Sequence, residues 1–138
     1  MIFLAAYLRS YSLNIFLCTL QVTFHPHQDN FLLSGSQDGY IKLFDVRTNE
    51  CVSTFHSNAQ SVRDVAFCPH GSGYVFATGL ENGQIQVWDL RRSDRPERKW
   101  PAHSDHIFAV DWHPESRFTL ASAGRGKLLF FSNKKQNI

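Results

Sequence analysis

Thr78-Gly79-Leu80-Glu81-Asn82-Gly83-Gln84-Ile85-Gln86-Val87-Trp88-Asp89 is the stretch on which the fold turns. It reads as the end of an apolar run, a Glu-Asn-Gly turn, and a strand over Gln84–Trp88 that alternates polar and apolar with period two. Asn-Gly is a strong tight-turn dipeptide, because both residues accept the positive φ that such hairpins need. The pattern stands 44 residues earlier as Ser34-Gly35-Ser36-Gln37-Asp38-Gly39, followed by Ile41-Lys42-Leu43-Phe44-Asp45. It returns more weakly 44 residues later as Ser122-Ala123-Gly124-Arg125-Gly126-Lys127. A further landmark keeps the same register: Phe24-His25-Pro26, Phe67-Cys68-Pro69 and Trp112-His113-Pro114, at steps of 43 and 45 residues. Independent landmarks in one register mark an internal repeat.

Each unit predicts four short strands. In the second they fall at Val62–Phe67, Tyr74–Thr78, Gln84–Trp88 and Arg98–Trp100; in the first, Cys51–Phe55 supplies the fourth. The five prolines (Pro26, Pro69, Pro96, Pro101, Pro114) all stand at strand ends or in loops, where a missing N–H harms no ladder. Composition agrees. Aromatics reach 14%, twelve of them Phe, which favours sheet over helix. A net charge of +2 is too small to mark a nucleic-acid or membrane-surface binder. Cys18, Cys51 and Cys68 are odd in number and lack CxxC spacing, which points to a reducing compartment rather than a disulfide framework.

A period near 44 with four strands and Trp-Asp closing the third resembles the WD-repeat β-propeller blade over residues 22 to about 127. The resemblance implies an all-β fold of about three four-stranded blades, an open arc of a seven-bladed propeller. It also implies a buried polar cluster joining a strand hydroxyl, a turn acid, a third-strand aromatic and a loop His. The hydroxyls fall on Ser34, Thr78 and Ser122. The turn acid is Asp38, then Asn82, then Gly126. The aromatic is Phe44, then Trp88, with Ser132 in the third slot. His103 stands four residues before Ile107, as the pattern asks, whereas His56 lies six before Val62. The cluster is structural and performs no reaction.

About three blades are fewer than the four to eight with which propellers close. The expected organisation is a non-propeller segment at 1–21, a partial blade at 22–60, a blade at 61–102, a partial blade at 103–127 and a non-propeller tail at 128–138. The run Ile15–Gln21 and the pair Gly126-Lys127 are where codons would match splice signals, so both ends are read as intron translated into a gene model. Ile2–Leu8 is short for a signal-peptide core and has no Lys/Arg before it. Arg9 and Asn14 burden Ile2–Phe24 as a membrane span, the Arg alone costing about 2.5–3.5 kcal/mol, so membrane insertion is not expected.

Catalytic motifs are weak. Gly124-Arg125-Gly126-Lys127 echoes a phosphate-binding loop, but Ala121 and Leu128 do not supply the earlier Gly and the following Ser/Thr. His103, His106 and His113 can be drawn as a metal site, yet His103 already has a structural slot. No Gly-x-Ser-x-Gly elbow is present. Asp64, Asp111 and Glu115 stand at or beside first strands, where solvated or turn-forming carboxylates are the default. No enzyme, cofactor or metal is expected.

Arg91-Arg92-Ser93-Asp94-Arg95-Pro96-Glu97-Arg98-Lys99 puts five cations and two anions between third and fourth strands. An exposed, solvated hairpin is the plain reading. Partner contact through Arg91, Arg92, Arg95 and Arg98 is the functional one, Arg being favoured in interfaces. Nucleic acid is not expected, since no aromatic is interleaved in the run. Trp88-Asp89-Leu90-Arg91 matches the WD-x-Arg box of substrate receptors for cullin-four ubiquitin ligases, and Phe44-Asp45-Val46-Arg47 nearly does; there Arg91 and Arg47 would face the adaptor.

Ser53-Thr54-Phe55, Ser61-Val62-Arg63-Asp64-Val65, Trp88 through Arg98 and Asp111-Trp112-His113-Pro114-Glu115 give a closer resemblance, to propellers of the GATOR (SEA-like) nutrient-sensing assembly. It implies a non-catalytic scaffold whose partners are the other subunits. That scaffold would promote TOR signalling when amino acids are plentiful, from the cytoplasmic face of the lysosomal or vacuolar surface. The zinc RING of full-length relatives has no counterpart in these residues, so ligase chemistry does not carry over.

Overall fold

In the computed structural model, which describes residues 19–58, 60–125 and 127–132, every regular element is a strand. The first sheet holds β1 (Thr19–Phe24), β2 (Phe31–Ser36), β3 (Tyr40–Asp45) and β4 (Glu50–His56). The second holds β5 (Val62–Phe67), β6 (Val75–Leu80), β7 (Gln84–Asp89) and β8 (Arg98–Pro101). In the third, β9 (Ile107–Trp112), β10 (Thr119–Gly124) and β11 (Lys127–Ser132) follow. Each strand pairs antiparallel with its neighbour in sequence, so each sheet is a meander, the blade of a β-propeller. The repeat register survives in the pairing: Leu33 faces Leu43 as Ala77 faces Val87.

The landmarks have local causes. At the second-to-third-strand turns, Gly39 (φ 88°) and Gly83 (φ 82°) take the left-handed conformation while the residue before each does not. Asp38 and Asn82 act instead through their side chains, each Oδ1 accepting the N–H two residues on (Tyr40 and Gln84, both 3.1 Å). At the His-Pro landmarks the imidazole closes the loop. His25 Nδ1 accepts the N–H groups of His27 and Gln28, and His113 Nδ1 those of Glu115 and Ser116.

The apolar core lies between sheets, because period-two strands present one face to each neighbour. Leu33, Ile41, Leu43 and Phe55 of the first blade meet Val62, Val65, Phe67, Phe76, Leu80 and Trp88 of the second. Phe55 sits edge-on to Phe76 (5.1 Å) and Trp88 (5.6 Å). Ala66, Cys68, Ala77 and Ile85 of the second blade meet Ile107, Val110, Trp112 and Leu120 of the third. Close approach of the sheets needs a missing side chain in each interface. A Cβ on Gly35 would lie 2.7 Å from Val62, and one on Gly79 only 2.5 Å from Ile107.

The strands differ from expectation at the ends. β1 begins at Thr19 rather than at residue 22, and Thr19 and Gln21 pair with Ser36 and Gly35 across a bulge. The first blade therefore has all four strands. β11 runs through Ser132 and pairs with β10 along its length, where a non-propeller tail was expected after 127. A ladder needs only extended backbone, so it continues where the side-chain signature has faded. The expectations for residues 1–18, Gly126 and residues 133–138 fall outside the described residues, as does the side chain of Ser132.

Candidate functional site

The expected polar cluster assembles fully in none of the described blades. In the third, His103 Nε2 and Ser122 Oγ are 2.8 Å apart and both residues are buried. The ring rests on Gly124, where a Cβ would stand 2.6 Å from Nδ1. The backbone N–H of His103 donates to Gly83 O at 3.0 Å, tying this loop to the turn of the blade before. In the second blade the equivalent loop residue is Ser57, not a histidine: its N–H donates to Gly39 O at 2.9 Å and its hydroxyl donates to the same carbonyl. His56 lies exposed against the Tyr40 ring, 4.6 Å between centroids. Thr78 and Trp88 are fully buried, but Thr78 Oγ1 reaches only Gln86 O at 3.5 Å and Trp88 Nε1 has no acceptor. Ser34 and Phe44 are buried in the first blade, while Asp38 and Asn82 stay exposed on their turns.

The residue that links the blades most directly is one that sequence reasoning read as a solvated or turn-forming carboxylate. Asp64 is 7% exposed. Its Oδ2 accepts the N–H of Val110 on β9 at 2.8 Å, Oδ1 accepts Val65 N–H at 2.9 Å, and the side chain of Gln21 on β1 reaches it as well. One carboxylate thus bonds the first strands of the second and third blades, with the Gln21 side chain of the first blade beside it. Burial pushes its pKa above the ordinary aspartate value, against the lowering pull of these donors. Trp112 Nε1 donates to Ala66 O (3.1 Å), and His70 Nε2 lies 2.9 Å from His113 O. His25 contacts the Gly73 backbone and packs on Phe67; burial, then nearby His27, hold its pKa below the usual value. Nothing local announces these inter-blade roles, since each partner across an interface lies 42 to 48 residues away. Asp111, by contrast, is exposed and caps its own strand through Trp112 N–H, and Glu115 is exposed in the following turn.

On the surface the structure sorts the arginines. Arg91 is turned back onto Asp89 through two contacts, 2.6 and 2.9 Å, and its guanidinium lies 4.8 Å over the Tyr74 ring. That pairing, its side-chain hydrogen bond foremost, lowers the Asp89 pKa and raises that of Arg91. Arg47 repeats the arrangement loosely, 3.6 Å from Asp45. Arg92 pairs with Glu97 at 2.9 Å, and Arg95 stands 4.0 Å from Asp94 with both side chains about 70% exposed. Arg98 and Lys99 are exposed on β8, an edge strand, and no ion pair among the described residues engages them. At the opposite end of the second and third blades, Glu81 lies between Arg63 (3.1 Å) and His106 (3.7 Å); the Arg63 bond holds its pKa low.

Chemically, these groups hold turns and join sheets. Among the described residues no three His, Cys, Asp or Glu converge on a common metal position, and no helix is long and apolar enough to cross a membrane. His103 Nε2 and His113 Nδ1, drawn from the sequence as metal ligands, are engaged with Ser122 and with backbone N–H groups.

Comparison with known proteins agrees with this architecture. The family profile described as "Nucleolar protein 10-like, N-terminal domain", a β-propeller domain, matches residues 7–137. The chain is 51% identical over 109 residues to "GATOR2 complex protein WDR24" of Danio rerio, covering 79% of this chain and 14% of that protein. The Homo sapiens protein of the same name is 50% identical over 109 residues, with the same coverage. "Restriction of telomere capping protein 1" of Eremothecium gossypii is 31% identical over 137 residues, covering 84% of this chain and 10% of that protein. The chain thus spans about a seventh or less of the length of these relatives. Among solved structures, the Cps50 (Swd1) β-propeller domain of Myceliophteria thermophila superposes with a TM-score of 0.73 at 17% identity, covering 85% of this chain and 35% of that one. The sequence repeat, the three meander sheets and a profile match over nearly the whole length agree: the chain belongs to the nucleolar protein 10-like N-terminal β-propeller domain family.

Proposed function

We propose that the chain is a non-catalytic interaction unit of a multisubunit assembly of the GATOR2 kind, contributing propeller blades to a scaffold. The observation that carries this reading is the 51% identity to a GATOR2 complex protein, over 79% of a chain built of blades. Asp64, Ser57 and His103 support it, because each is spent on a link from one blade to the next. The role extends to promoting TOR signalling in response to amino acids, at the lysosomal or vacuolar surface through the other subunits. Exposed arginines Arg92, Arg95 and Arg98 of the β7–β8 segment are the proposed contact residues. Arg47 and Arg91 are the less available pair, each turned onto its own aspartate.

The test is affinity capture of the tagged chain from cells of its own species, with the endogenous protein sized in parallel using an antibody to residues 22–127. Recovery of GATOR2 subunits that persists in Arg91→Ala is the expected result. Recovery instead of a cullin-four adaptor, abolished by Arg91→Ala, would replace the scaffold reading with that of a ligase substrate receptor. Capture of neither overturns both.

A further inference from the structure

The chain's excess positive charge is local. Residues 89–99 hold five cations (Arg91, Arg92, Arg95, Arg98, Lys99) and three anions (Asp89, Asp94, Glu97), a net of +2, equal to the formal net charge of the whole chain. All other residues therefore balance. At the apex of this segment stands Ser93, exposed and outside every strand, just past the isolated Asp89–Arg92 bridge.

Its setting separates it from the other exposed serines and threonines. Among the described residues these are Thr48, Thr54, Ser72, Ser104 and Ser116. Thr48 and Ser116 each have one arginine within two positions, Arg47 and Arg117; Thr54, Ser72 and Ser104 have no Lys or Arg there. Ser116 Oγ is also engaged with Thr119 at 2.8 Å. Ser93 has three: Arg91, Arg92 and Arg95.

We propose that Ser93 is a phosphoryl-acceptor site for an arginine-directed serine kinase, and that Arg92 and Arg95 cradle the phosphate once it is attached. In the step, Ser93 Oγ bonds to the γ-phosphorus of a nucleoside triphosphate. The bond from that phosphorus to the bridging oxygen breaks, the nucleoside diphosphate leaves, and the hydroxyl proton passes to the kinase's base. Access is open. The ion pairs that a kinase must loosen, Arg92–Glu97 and Arg95–Asp94, are exposed, and exposed pairs hold weakly. Arg95 is the looser, at 4.0 Å, and is the first cation free to swing onto the phosphate. A phosphoserine adds a charge of about −1.5 to −2 and strong acceptor oxygens. That cancels the excess of the segment, and with it that of the chain. The product is an electrically neutral loop where a cationic one stood, so a partner attracted by the arginines would lose its attraction. The proposal goes beyond the scaffold reading and does not depend on it.

The experiment treats the full chain with MgATP and an arginine-directed serine kinase, and locates the phosphate by mass spectrometry. A phosphorus NMR titration of the product follows. Incorporation is expected at Ser93, falling about tenfold or more in Ser93→Ala and in Arg91→Ala/Arg92→Ala. The second phosphate ionisation should lie below its ordinary value of about 6 and return toward it in Arg92→Ala/Arg95→Ala. Undiminished incorporation in Ser93→Ala overturns the site. So does failure to modify Ser93 in the chain, whether or not a free peptide of residues 88–99 is a substrate. A phosphate ionisation indifferent to Arg92 and Arg95 overturns the cradle.

Discussion

Removing the Asp64 carboxylate should uncouple the second and third blades. The inner edge of β9 faces away from β10, so an N–H on it must find its acceptor outside the ladder. Val110 N–H finds Asp64 Oδ2 at 2.8 Å, from the neighbouring blade. In Asp64→Ala that donor and Val65 N–H both lose their acceptor. An orphaned buried donor costs about 1–3 kcal/mol, and part of the sum is offset because a buried charge no longer has to be desolvated. The expected loss is about 2–4 kcal/mol. Asp64→Asn keeps one acceptor oxygen and turns an NH2 toward the other N–H, for about 1–3 kcal/mol. Urea unfolding followed by tryptophan fluorescence reads both, since Trp88 is buried in the first interface and Trp112 lies in the second. The pH dependence supplies a sign. The folded Asp64 pKa is raised, so between the unfolded value and the higher folded one the folded state binds more proton than the unfolded. This aspartate's contribution to stability therefore grows as pH falls through that window. The margin of wild type over Asp64→Asn should widen on acidification. A margin that narrows would mean the donors outweigh desolvation, and a loss below about 0.5 kcal/mol in Asp64→Ala would refute the linking role.

His25 should show the opposite pH trend. Its folded pKa is depressed, so its contribution is complete above the ordinary histidine range and is lost as pH falls below it, a slope that His25→Asn should remove from a pH series of melts. Gly79→Val should cost about 1–3 kcal/mol by driving a side chain into Ile107 and Val110, whereas Gly71→Ala, with nothing within 4 Å of the new Cβ, should cost only the backbone's roughly 1 kcal/mol; urea midpoints compare them. For His103→Ala and Ser122→Ala, about 1–3 kcal/mol each is expected. Their double-mutant cycle should return a coupling of at least about 0.5 kcal/mol, and strict additivity would show that the 2.8 Å contact carries no energy.

What the sequence made legible was whatever the chain decides within one hairpin. Gln84–Trp88 lies within β7 because alternation and an Asn-Gly turn are local signals, and Val62–Phe67 coincides with β5 for the same reason. Even there the mechanism was partly hidden: Asn82 serves through its side chain and leaves the positive φ to Gly83. Contacts between blades were opaque. Whether His56 or Ser57 enters the loop slot depends on loop length, and the loop from Ser57 to Val62 is one residue longer than that from His103 to Ile107. Whether Asp64 is solvated depends on an unpaired strand edge 46 residues away. The faded third repeat concealed β11, because backbone pairing tolerates side chains that the motif does not.

Among the described residues the main stitching between blades runs from each sheet to the next: β1 packs on β5, and β5 on β9. Such a chain behaves like a short one-dimensional lattice whose stability is a sum of unit terms and nearest-neighbour couplings. The middle unit alone enters both couplings, and Asp64 stands in both, through Gln21 on one side and Val110 on the other. Damage at an end unit weakens one coupling and lets that unit fray by itself. Equal damage in the middle unit weakens both couplings at once and withdraws support from all three units together, so melting transitions should split for lesions in an outer unit and stay single, at lower temperature, for central ones.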